Sequence, residues 1–232
     1  MKITITPDHW LEIDGKPVKR QLIPGGAPME SRRFLVHHYT EGADIDGDTD
    51  GDGKQDSGSL VEILRERGLS VHLGIDRDGT VIQYRPFNRT CGHAGGRGMS
   101  IWIDPKDGKA YTGNDAGIGV EFGNAGTSVG AQNWAKKHGA QFAKGRNRDG
   151  SESTYELFTP RAIDVGLAIS VALCRRYNLD DVTGHREISS WRKFDPGPKF
   201  PMLKIRKACG FDGPPRCFSQ SGKIIAPNHY EE

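Results

Sequence analysis

Four short runs of β-branched and apolar residues, interleaved with two amphipathic helical stretches, constrain this chain to an α/β architecture before any side chain is given a role. Strands are expected at Arg33–Tyr39, Val71–Asp76, Gly79–Tyr84 and Gly117–Gly123. Asp78-Gly79, between the second and third, is hairpin chemistry. One helix starts at Ser59-Leu-Val-Glu62, a capping box, places Leu60, Ile63 and Leu64 on one face and stops at Gly68. A longer one starts at Thr159-Pro160, a cap followed by a first-turn proline. It carries Ile163, Leu167, Val171 and Cys174 as a stripe as far as Asn178. The expectation is a central mixed β-sheet flanked by helices in one domain over residues 29–210. A β-rich extension over 1–28 and a tail over 211–232, rich in Gly, Pro and Ser, read as additions without chemistry.

The chain has 232 residues, room for one sizeable domain. No apolar run approaches the roughly 18 residues that cross a bilayer, and the first residues lack a stretch of signal-peptide length. No membrane insertion, synthesis without a signal peptide and a monomeric state are therefore expected. Cys91, Cys174, Cys209 and Cys217 are too few for a disulfide scaffold; reduced thiols are the default, with a Cys209–Cys217 bridge the alternative in an oxidising compartment. Glu41 to Asp56 carries seven acids and one lysine, a net −6, which leaves +8 on the rest of a chain whose total is +2. Part of that excess clusters at Lys136, Lys137, Lys144, Arg146 and Arg148. This is a solvated basic surface or an attraction for an anionic polymer, and no nucleic-acid recognition motif stands behind the second reading.

The histidines carry the chemistry. His37 and His38 sit inside an apolar strand whose alternation sends them to opposite faces, His185 follows Val182-Thr-Gly184, and Asp195 lies ten residues further on. Two histidines and a carboxylate make a three-ligand zinc site with a fourth position for water, the pattern of hydrolysis. Residue types alone leave this open, because a strand histidine is more often a core residue and His-Glu-x-x-His is missing.

The surrounding motifs are more specific. Phe34-Leu-Val-His37-His38, Ser70-Val-His-Leu-Gly-Ile-Asp-Arg-Asp-Gly-Thr-Val-Ile-Gln83, Gly92-His93-Ala-Gly95, Asn114-Asp-Ala-Gly-Ile-Gly-Val-Glu121, Thr183-Gly-His185-Arg-Glu-Ile and Arg192-Lys193-Phe-Asp195-Pro-Gly-Pro198 occur in this order. Together they resemble the type-2 family of N-acetylmuramoyl-L-alanine amidases, which includes a cytoplasmic recycling amidase, phage endolysins and the peptidoglycan recognition proteins. The resemblance covers about residues 32 to 207. It implies a zinc ion on His37, taken as the first histidine after the apolar strand, with His185 and Asp195. It also implies Glu121 as the group that orients and deprotonates water and Lys193 as the oxyanion's cation; His93 and Asn114 are read as groove-lining substrate contacts, with a structural role the alternative for His93. One such cation is worth on the order of 3 kcal/mol of transition-state stabilisation. The implied substrate is peptidoglycan or a muropeptide, cut between N-acetylmuramic acid and L-alanine by a phage-type endolysin, a cell-wall-degrading amidase or a cytoplasmic recycling enzyme. A recognition module without catalysis is the rival, and a missing ligand would favour it. The chain departs from the family's pattern in the insertion Arg97–Lys109, in the long stretch after Asn124 and at Gly92, where many relatives have tryptophan. The inserted loops are expected to frame the groove.

The acidic loop has its own spacing. From Asp48, oxygens at Asp48, Asp50, Asp52 and Asp56, a backbone carbonyl at Lys54 and Gly53 at the sixth position match a Ca2+ loop, but Ser59 stands where the bidentate glutamate belongs. A calcium loop and a flexible acidic surface loop both stay open.

Overall fold

A computed structural model describes residues 1–42, 44–47 and 59–230. In chain order, β1 (Ile3–Ile5), β2 (Leu11–Ile13), β3 (Lys16–Pro17) and β4 (Lys19–Arg20) lead into β5 (Phe34–Tyr39), α1 (Leu60–Glu66), β6 (Leu73–Ile75) and β7 (Val81–Gln83). Then follow β8 (Trp102–Ile103), β9 (Ala110–Tyr111), α2 (Gly113–Ala116), β10 (Gly117–Phe122), α3 (Val129–Lys137), β11 (Phe142–Arg146) and β12 (Glu152–Glu156). The chain ends with α4 (Pro160–Tyr177), β13 (Asp181–Gly184), α5 (His185–Ile188), α6 (Met202–Ala208), β14 (Cys217–Phe218) and β15 (Ile224–Ile225).

The expected central sheet is present and mixed, in the order β13-β5-β10-β6-β7-β4. β13, β5, β10 and β6 run parallel, and β7 turns back along β6. All four expected strands and both expected helices form, each within two residues of its expected bounds. At α1 the Glu62 carboxylate accepts from the Ser59 backbone N–H at 3.0 Å. At α4, Thr159 Oγ1 accepts from the Ala162 N–H at 3.1 Å, and Asn178 ends the helix with φ 49°.

The two faces of the sheet differ. Leu35, Ile118, Val120 and Phe122 point to the α4 side and pack with Ala162, Val165, Ile169 and Leu173. The buried stripe of α4 is thus centred on 162, 166, 169 and 173. Leu167 and Val171, expected within it, lie at its rim, because the N-terminal hairpin of Ile3 and Ile5 covers that flank. Residues 1–28 are accordingly part of the packed structure, with β4 pairing to β7. Leu173 is fully buried, so Leu173→Ala is expected to cost about 2–5 kcal/mol by cavity formation. Denaturant unfolding checks this, and a loss below about 1 kcal/mol would contradict the assigned core.

The opposite face carries Phe34, Val36, Ala94, Trp102, Ala116, Ile188 and Phe218 as a second cluster. Trp102 stacks on Phe34 at 4.7 Å and donates to Asp181 at 3.0 Å. The insertion Arg97–Lys109 packs beneath this face through Trp102, and its Met99 carbonyl accepts from Arg192 Nε at 2.7 Å. The stretch after Asn124, expected to frame the groove, folds into α3 and the β11–β12 hairpin, and its Thr127 lines the cavity beside the histidines. All four cysteines are free thiols; Cys217 lies under Arg148 and Asn228. Among the described residues, no helix is long and apolar enough to cross a membrane.

Candidate active site

Parallel pairing sets the site. Glu121 on β10 lies in register with His38 on β5, and Gly184 at the end of β13 lies in register with His37. His185 follows at once as the first residue of α5, a turn held by the Glu187 carboxylate on the Gly184 N–H at 3.0 Å. The Arg186 N–H donates to the Asp195 carbonyl at 2.8 Å, which brings the 192–198 loop back over the ends of β5 and β13. Gly184 is needed there, because a Cβ would lie 2.5 Å from Pro196 Cδ. The functional side chains thus gather at the carboxyl ends of the parallel strands, where open α/β sheets place their sites.

His38, His185 and Asp195 converge: one ligand atom from each lies within 4.8 Å of the others. His38 Nδ1 is 2.8 Å and His185 Nδ1 3.1 Å from Asp195 Oδ2. The expectation for His37 is not met. Its side chain points to the α4 face, between Phe122 and Phe200 at ring distances of 5.7 and 5.1 Å, with Nε2 3.4 Å from Ser170 Oγ. Burial pushes the His37 imidazole down to about 3, with His38 adding to the effect, so it is neutral. The reason for the difference is which face each helix covers: α4 packs on the side of Leu35 and His37, α5 on the side of His38.

The electrostatics suit a cation. Burial lowers His38 to about 4, which keeps its ring neutral at physiological pH, as a metal ligand must be. Burial alone would raise Asp195, but His185 and His38 overcome this and hold its carboxyl well below the usual range. The outer nitrogens are also engaged: His38 Nε2 lies 2.9 Å from His93 Nδ1, and His185 Nε2 3.1 Å from the Ala94 carbonyl and from Arg192.

A cavity of about 290 Å³ opens beside this group, and Glu121, Lys193, His93 and Thr127 line it together with Ile63 of α1 and Arg67 at its C-terminal cap. Glu121 Oε2 is buried without a partner, and burial, with the nearby Asp195 charge, pushes the carboxyl up to about 8 while Lys193 pulls it down. His93 reaches the groove wall. Asn114 does not line it: its Oδ1 accepts from the His93 and Ala94 N–H groups at 3.1 and 2.9 Å. The α1 wall was not foreseen, although the apolar face of Leu60, Ile63 and Leu64 was the available signal. No residue of the 97–109 insertion lines this groove.

The calcium positions Asp48, Asp50, Asp52, Lys54 and Asp56 lie outside the described residues. Earlier in the same acidic segment, Asp44 and Asp46 gather with Asp76 after β6, and burial followed by Asp76 pushes the Asp44 carboxyl up to about 8.

A raised carboxyl has a stability consequence. With a folded value near 8 against an ordinary 4.5, Glu121 favours the metal-free fold while protonated. That contribution is complete below pH 4.5 and is lost as pH rises through 8. In the presence of chelator, Glu121→Gln should therefore melt above the parent by a margin that grows from pH 5 to pH 9. Calorimetry across this range checks it; a flat or shrinking margin would contradict the burial assigned to Glu121.

Comparison with known proteins identifies the family. The family model for N-acetylmuramoyl-L-alanine amidase matches residues 28–198. The 1,6-anhydro-N-acetylmuramyl-L-alanine amidase AmpD of Enterobacter cloacae is 29% identical over 134 residues, 57% of this chain and 52% of that protein. The chain thus spans about half the length of the curated relatives it matches. Among solved structures, the amidase AmiD of E. coli, in complex with anhydro-N-acetylmuramic acid-L-Ala-D-gamma-Glu-L-Lys, is similar with a TM-score of 0.54 and 23% identity. That match covers 83% of this chain and 63% of AmiD. The endolysin amidase LysCS of Clostridium intestinale gives a TM-score of 0.52 and 19% identity, covering 84% and 96%. These likenesses establish the fold, and the matched family model establishes more: the chain belongs to the N-acetylmuramoyl-L-alanine amidase family.

Proposed function

We propose that this protein is a zinc-dependent amidase that hydrolyses the amide between the lactyl group of N-acetylmuramic acid and the L-alanine of the stem peptide. The observation that carries this reading is the convergence of His38, His185 and Asp195 beside a groove that also presents Glu121 and Lys193. The donor set fits zinc: two imidazole nitrogens and one carboxylate oxygen, each buried. Zinc bound by these three residues supplies Lewis acidity, which polarises a carbonyl and makes water acidic near pH 7.

The chain's own groups do the rest. The Glu121 carboxylate accepts a proton from the attacking water as its oxygen adds to the carbonyl carbon. It returns that proton to the nitrogen as the C–N bond breaks, and the second proton of the water passes from the new carboxyl group to the released amine, leaving a lactyl carboxylate and the ammonium of L-alanine. Lys193, on the same groove, offers an ammonium to the oxygen on which negative charge gathers. The apolar wall of α1 limits water around these charges.

Purified peptidoglycan or a soluble muropeptide, incubated with the zinc-loaded protein, should release stem peptide with a free L-alanine amine, read by mass spectrometry. Chelation should stop the release and added zinc restore it. Release that continues undiminished in chelator would overturn the metal-dependent reading. The curated relatives named as anhydro-muramyl amidases favour a second setting, cleavage of soluble anhydro-muropeptides in preference to intact sacculi. Comparing the two substrates separates a recycling enzyme from an endolysin.

A further inference from the structure

Behind His38, His185 and Asp195 stands a third histidine whose hydrogen-bond roles are fixed by its surroundings. His93 Nε2 is 3.1 Å from the carbonyl oxygen of Gly117. A carbonyl only accepts, so His93 carries its proton on Nε2 and presents Nδ1 as an acceptor. That acceptor is 2.9 Å from His38 Nε2, which must then be the donor. With Nε2 directed to His93, the other ring nitrogen of His38, Nδ1, faces Asp195 Oδ2 at 2.8 Å, on the side where His185 and Asp195 gather.

The rest of the structure holds His93 where it can do this. Asn114 Oδ1 accepts from the His93 and Ala94 N–H groups, pinning the backbone. Under the ring, β10 carries Gly119, at which a Cβ would lie 2.6 Å from His93 Cγ. A mid-strand glycine weakens a strand, and here its place is explained by the close approach of the ring.

We propose that His93 is a positioning residue for the metal, setting the tautomer and ring orientation of His38, with Gly119 and Asn114 holding it in place. This rests on the reading that His38, His185 and Asp195 hold zinc. Outer partners of metal-bound histidines act in this way, and losing one typically costs 10–100-fold in metal affinity.

The test is zinc affinity by competition with a chromophoric chelator, for the parent, His38→Ala, His93→Leu, His93→Asn and Gly119→Ala, with the cobalt-substituted absorption spectrum as a second readout. His93→Leu and Gly119→Ala should each weaken zinc about 10–100-fold and change the cobalt spectrum. His93→Asn, which keeps an acceptor near the Nδ1 position, should recover most of the loss. Circular dichroism of the metal-free forms identifies any variant that fails to fold, and Gly119→Ala tests the same contact without altering the histidine. If His93→Leu binds zinc like the parent and only KM rises, His93 is a substrate contact and the positioning role is wrong. If His38→Ala itself retains parental zinc affinity, the metal reading fails instead.

Discussion

His38→Ala is expected to lose zinc binding and to lower amide cleavage by at least about a thousandfold, while His37→Leu leaves both close to the parent. The first figure follows from removing one of the three proposed ligands: the Lewis acidity it would secure is worth several kcal/mol, and each 1.36 kcal/mol is tenfold in rate. The second follows from where His37 lies. Its Nδ1 is buried without a partner between Phe122 and Phe200, so an apolar side chain of similar size removes an unsatisfied group and keeps the packing. His37→Leu should accordingly unfold within about 1 kcal/mol of the parent, whereas His37→Ala should cost about 2–3 kcal/mol through the cavity it leaves. Metal analysis and turnover on a muropeptide check the pair. The reverse pattern, with zinc lost in His37→Leu and kept in His38→Ala, would restore the assignment expected from motif order.

Glu121→Gln should separate binding from chemistry. The amide keeps the size of the side chain but cannot take a proton, so kcat is expected to fall about 10²–10⁴-fold. Zinc affinity should stay near that of the parent, because the proposed ligands are His38, His185 and Asp195. The same substitution should raise metal-free stability at high pH, as argued above, so a loss of turnover cannot be ascribed to unfolding. Turnover within threefold of the parent would mean that another group accepts the proton.

The architecture was legible where local chemistry is strong. Asp78-Gly79, the Ser59–Glu62 box, the Thr159-Pro160 start and the strand runs each reflect backbone preferences that operate within a few residues. The face of β5 that meets the site was not legible. Phe34 and Val36 on one side are as apolar as Leu35 on the other, so alternation separates His37 from His38 without ranking them. The ranking comes from pairing register and from which helix covers which face. β10 did carry a hint, with Gly117, Gly119 and Glu121 alternating with Ile118, Val120 and Phe122, but linking its glycine face to His38 needs the register.

Long-range packing hid the rest. Trp102 carries the 97–109 insertion into the second core cluster, and Asn114 turns to the backbone of His93 and Ala94. The α1 wall is assembled by the fold of a segment whose helix was readable but whose docking was not. In the same way the C-terminal tail, expected as a plain addition, reaches back to the site's supports: Asn228 and Tyr230 donate to the Glu187 carboxylate, which also caps the turn into His185.

The most direct test of the central claim is an anomalous difference map at the zinc edge from crystals of the zinc-loaded protein. A single peak is expected about 2.0–2.2 Å from His38 Nδ1, His185 Nδ1 and an oxygen of Asp195. A peak bound by His37, or none within reach of Asp195, would contradict it.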